Sequence, residues 1–105
     1  MMTDLRNRWI EEARLRVTDA VAPFGVRVWL FGSCARGTPG RFSDIDIAVS
    51  ADGPLPPQAR AAIDDAIEAS TILCDVDIVD LAGISETLRS RILAEAIPWT
   101  GQTRN

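Results

Sequence analysis

The chain has 105 residues, 47% of them hydrophobic and 25% charged, with a formal net charge of −4 at pH 7. That length suits one hydrophobic core but not two, and a composition this close to globular usage excludes a disordered chain and a membrane-inserted one. The excess of acids disfavours a surface built to neutralise nucleic-acid phosphates, so no direct nucleic-acid binding is expected.

In chain order, Leu5, Trp9, Ala13, Val17, Ala20, Val21 and Phe24 recur at helical spacing until Pro23 and Gly25 break the pattern, which predicts an amphipathic first helix. Its opening, M-M-T-D-L-R-N-R-W-I-E-E, lacks the apolar run and cleavage site of a secretory signal, so a cytoplasmic protein is expected. Val26 to Phe31 and Ile45 to Ser50 read as strands joined by a glycine-rich turn. Gln58 to Ile72 carries Ala62, Ile63, Ala66, Ile67 and Ala69 in helical register, and Asp75 to Leu81 reads as a third strand. A last helix is expected to start near Ser85, and A-I-P-W-T suits a short edge strand, where proline is tolerated. The join at residues 31 to 45 shows no clear crossover helix, so a mixed sheet with helices packed on it is expected, an α/β (α+β) fold.

The inventory of reactive groups is narrow. Histidine is absent and all 11 basic residues are arginine, so imidazole bases and Schiff-base lysines are excluded. Cys34 and Cys74 lie far apart without a C-x-x-C motif and read as reduced, mostly buried residues. Three tryptophans are many for so small a core, which predicts that Trp9 or Trp99 contributes to a partner surface.

Against that background, S-D-I-D-I-A-V is unusual. Alternate side chains of a strand point to opposite faces, so Asp44 and Asp46 project together while Ile45, Ile47 and Val49 enter the core. Two converging carboxylates need an arginine or a divalent cation between them, and all-oxygen donors suit Mg²⁺. Taken alone, D-x-D reads more readily as only the polar face of an amphipathic strand. Gly32-Ser33 directly after a strand can turn amides and a hydroxyl towards a phosphate, or be simply a turn. Arg36 can pair with a phosphate or with an acid. In D-V-D-I-V-D-L, Asp77 can complete a three-carboxylate cluster if its strand lies beside the second, whereas Asp75 and Asp80 read as solvated strand-end charges.

Together, G-S-C-A-R-G, S-D-I-D-I-A-V and V-D-I-V-D-L before a final helix resemble the minimal nucleotidyltransferase (MNT) domains of the DNA polymerase β-like superfamily. The resemblance implies a short mixed sheet of strand order 1-2-3, metal-binding and catalytic carboxylates at Asp44, Asp46 and Asp77, and nucleotide contacts at Gly32, Ser33 and Arg36. It further implies transfer of a nucleoside monophosphate from an NTP to a hydroxyl, with two Mg²⁺ ions roughly 3.5–4 Å apart clamping the attacking and leaving oxygens, and Asp77 accepting the proton.

Larger superfamily members hold the acceptor with an extra domain, and no such segment is legible here. Minimal domains of this kind resemble the antitoxin halves of HEPN/MNT toxin-antitoxin pairs. The expected partner is therefore a helical HEPN ribonuclease whose tyrosine receives AMP from ATP in a hetero-oligomer. This chain has no tyrosine and no R-x(4)-H motif, which matches the MNT half. Two other readings remain open: an antitoxin that merely covers the toxin, and a nucleotidyltransferase acting on a small molecule such as an aminoglycoside.

Overall fold

The computed structural model describes residues 2–37 and 44–100, with side chains from Leu5 onward. Helix α1 (Met2–Val21) buries Ala13, Val17 and Val21 completely, a four-residue step that keeps them on one stripe. A 3-10 turn at Ala22–Phe24 and Gly25, at φ 67°, stop it where the sequence predicts.

Strand β1 (Arg27–Phe31) runs directly into a short helix, α2 (Gly32–Arg36). Strand β2 (Ile45–Ser50) follows, then helix α3 (Pro57–Glu68), strand β3 (Val76–Asp80), helix α4 (Glu86–Glu95) and strand β4 (Ile97–Pro98). Part of the 31–45 join is thus helical; residues 38–43 of the turn lie outside the described residues.

The sheet order is β3-β2-β1-β4. β1 is antiparallel to β2 and β4, and β2 is parallel to β3. This is the mixed sheet expected, with the edge strand added beside β1. Pro98 tolerates that edge, and pairing continues past it: Trp99 N donates to Val28 O at 2.8 Å and Val28 N to Thr100 Oγ1 at 2.9 Å.

The helix predicted to reach Ile72 ends instead at Glu68. The Ser70 amide and hydroxyl both donate to Ile67 O, and Ser70 Oγ accepts from Ile72 N, so local side-chain bonds replace the next helical turn. Thr71 then turns outwards, donating through its amide and hydroxyl to Glu12 on α1.

The two sheet faces differ. Val28, Leu30, Ile45, Ile47 and Val49 pack under α1 and α3 with Ala13, Val17, Ala59 and Ile63. Ala48, Leu81 and Ile92 form a smaller cluster on the other face, with Trp29, Phe31 and Val79 against it, so α4 covers only part of that face. Trp99 is 8% exposed within the larger core, which removes it as a partner anchor; Trp9 and Trp29 are half-buried. Both cysteines are free, Cys34 buried and Cys74 half-buried.

Candidate active site

The uncovered end of the α4 face carries the acids. Register pairs Asp46 with Phe31 on one side and with Asp77 on the other, so Phe31, Asp46 and Asp77 form a row across three strands. Asp44 lies two residues before Asp46 and shares its face by strand alternation. Completely buried Ile45 and Ile47 fix that orientation, because reversing it would expose both. Ile45 N donates to Asp75 O at 2.9 Å, which locks the start of β2 to β3 beside the acids.

The Asp44 and Asp77 carboxyls stand against each other, within hydrogen-bonding contact. That contact, followed by burial and the Asp77 charge, pushes the Asp44 carboxyl above its ordinary value, with Arg6 opposing. Asp46 is pushed up chiefly by burial, then by Asp77 and Asp44, with Arg36 opposing. Among the described residues no three acid, histidine or cysteine side chains close to metal-coordinating distance. The three acids are aligned along an open row, with two of them in contact with each other. Their donor set fits a hard divalent cation: all-oxygen ligands whose mutual repulsion such an ion would relieve.

Gly32 is placed by this row. Its φ is +78°, and a Cβ there would overlap Asp46 Oδ2 and stand 3.1 Å from Asp46 Cγ. The Asp46 carboxyl therefore fills the space a side chain would take. Gly32 and Ser33 open α2, whose N-cap Phe31 makes no side-chain capping bond, so the first amides of the turn have no side-chain cap. Cys34 Sγ donates to Asp44 O at 3.6 Å and ties the turn to the start of β2.

Arg36 pairs with an acid outside the row, reaching Glu95 on α4 through Nη1 to Oε1 at 3.1 Å. One expectation changes. Asp80 is no solvated strand-end charge: Oδ1 accepts from Ala82 N at 3.0 Å and Oδ2 from Leu55 N at 3.0 Å, because strand β3 ends there and its turn needs an N-cap. Asp75 is exposed, as expected.

Sequence reasoning missed Arg6, which is 6% exposed with its guanidinium 5.7 Å over the Trp9 ring. The available signal was position, since Arg6 is in helical register with Ile10, Ala13 and Val17 of the apolar stripe.

A mixed sheet with an acid row on its open face and a Gly-Ser turn at the row's end defines a domain of the nucleotidyltransferase class. Residues 26–100 match the family described as Polymerase beta, Nucleotidyltransferase, and the chain belongs to that family. It is similar to the probable protein adenylyltransferase MntA of Haemophilus influenzae, 37% identical over 65 residues that cover 62% of this chain and 57% of that protein. The chain thus spans little more than half the length of that relative. Among solved structures it resembles a toxin-antitoxin with AMP-PNP, at 31% identity and TM-score 0.67 over 86% of this chain and 74% of the other. It also resembles a tri-AMPylated Shewanella oneidensis HEPN toxin in complex with MNT antitoxin, at 29% identity and TM-score 0.55 over 96% of this chain and 73% of the other.

Proposed function

We propose that this domain transfers AMP from ATP to a hydroxyl, a tyrosine by analogy, on a cognate HEPN-type toxin and thereby silences it. The carrying observation is the row Phe31–Asp46–Asp77, with Asp44 at its end and Gly32 moulded around the Asp46 carboxyl. Likeness to an MntA adenylyltransferase and to an AMPylated HEPN toxin complex supports the choice of AMP and of partner.

In this reading Asp44, Asp46 and Asp77 hold Mg²⁺, as two ions. When bound, the metal supplies Lewis-acid stabilisation of the charge that develops on the transferring phosphate. The chain's own residues do the positioning. Gly32 and Ser33 hold the β- and γ-phosphates through the turn amides and the Ser33 hydroxyl, and Arg36 adds a cation. Asp77, the most exposed acid of the row, accepts the proton of the incoming hydroxyl. A bond forms between that oxygen and the α-phosphorus, the bond to the bridging oxygen breaks, and pyrophosphate leaves. Attacking oxygen, phosphorus and leaving oxygen must lie in line, and the open face leaves the acceptor side free for a partner's hydroxyl.

The test is the fate of label. With partner, ATP and Mg²⁺ present, label from α-labelled ATP migrates with the partner and label from γ-labelled ATP does not. Label that moves from the γ position, or none that moves from the α position, contradicts AMP transfer. Silencing without any transfer would favour an antitoxin that only covers its toxin.

A further inference from the structure

Phe31, Gly32, Arg36, Arg91, Ile92 and Glu95 line a pocket of about 210 Å³ beside the acid row. Its apolar floor comes from β1 and α4, and its rim carries two arginines and one carboxylate. Arg36, the cation proposed above for the phosphates, is held by Glu95 at 3.1 Å, and both side chains are about half exposed, at 53% and 52%. Arg91 takes part in none of the ion pairs among the described residues. It precedes Glu95 by four positions on α4, so the two share a helix face.

We infer that Glu95 is an exchangeable internal anion: it occupies Arg36 while the pocket is empty of polyphosphate and passes to Arg91 when a nucleoside triphosphate's phosphates take Arg36. This inference rests on the proposed nucleotide site and adds to it a reason for Arg91 and Glu95. The exchange keeps charge balanced. Without it, an arriving polyphosphate would face the Glu95 carboxylate, and freeing Arg36 would leave that carboxylate alone at the pocket rim. The geometry suits reversibility, because an exposed pair is weak and an arginine preceding a glutamate by four is the less favourable helical order. Departure of pyrophosphate would let Glu95 recapture Arg36, which favours release of the product.

The test is a double-mutant cycle read by calorimetric titration of the chain with inorganic tripolyphosphate and Mg²⁺. Glu95→Gln should tighten binding about 2- to 5-fold, the range expected for an exposed ion pair. Arg91→Ala should weaken it by a similar factor, because Glu95 then has nowhere to go, and Arg91→Gln should do the same with less loss of stem packing. In the Glu95→Gln background Arg91→Ala should have no effect. Equal weakening in both backgrounds would mean that Arg91 touches phosphate directly and would overturn the exchange. So would Glu95→Gln binding no tighter than wild type, or no binding by any variant. Because the probe carries no nucleoside, the cycle separates the two claims: AMP transfer can fail while the exchange holds, and the exchange can fail while transfer proceeds.

Discussion

Gly32 carries more of the site than its size suggests. Gly32→Ala would put a Cβ into the Asp46 carboxyl and force a side chain onto a backbone at φ +78°. The expected cost is about 1–2 kcal/mol of stability from the backbone alone, with loss of AMP transfer as Asp46 is displaced; urea melts beside a labelling assay would show both. Asp46→Asn should act in the opposite direction on stability. Asp44 and Asp46 have raised carboxyls, so the folded state holds protons more tightly than the unfolded one, and stability falls as pH rises from the ordinary carboxylate range through the raised values. Asn at position 46 removes part of that slope, and metal-free denaturation followed as pH rises from the ordinary carboxylate range towards neutrality should show a more stable, flatter profile. An unchanged slope would mean that the acids do not strain the fold. These roles were unevenly legible. Asp44 and Asp46 could be read from alternation with isoleucines, but the Arg36–Glu95 pair joins residues 59 apart and only the packing of α4 beside α2 creates it. Asp80 reads like Asp75 in the sequence because a cap is defined by where the strand stops.

Among the elements, α4 positions the pocket and depends on its start. Ser85 Oγ accepts from Leu88 N at 3.1 Å, and Ser85→Ala should cost about 1 kcal/mol, measurable by thermal melts with little change in the sheet. The tie between α1 and the segment after α3 is electrostatic. Bonds from Thr71 and Arg16 hold the Glu12 carboxyl down to about 2 from an ordinary 4.5. A depressed carboxyl contributes its stability fully above the unfolded value and loses it as pH falls through the folded one. Glu12→Gln should therefore be less stable than wild type at neutral pH, with the difference closing between pH 4.5 and about 2; a difference that persists at the acid end would point to packing instead. Element identity was legible because periods of two and of 3.6 dominate strands and helices respectively. The end of α3 was not, since Ala69 and Ile72 continue an apolar pattern that Ser70 interrupts through its own hydrogen bonds.

For the whole molecule, one sheet face is closed by α1 and α3 while the other is covered by α4 only in part, and the acid row lies at the uncovered end. No helix among the described residues is long and apolar enough to cross a membrane. The domain alone, given ATP and Mg²⁺, should turn over little nucleotide, because water is a poor substitute for an aligned hydroxyl. Pyrophosphate release with and without partner checks this, and equal rates would place the acceptor elsewhere. Of the two tryptophans that the sequence offers to a partner surface, Trp99 completes the core and Trp9 is half-buried. The most direct test of the central claim is the rate at which Asp44→Asn, Asp46→Asn protein transfers label from α-labelled ATP to a partner it still binds. The acid row predicts a rate lower by at least about 10²- to 10³-fold with the complex intact, whereas transfer at the wild-type rate would show that these carboxylates are not the catalytic centre.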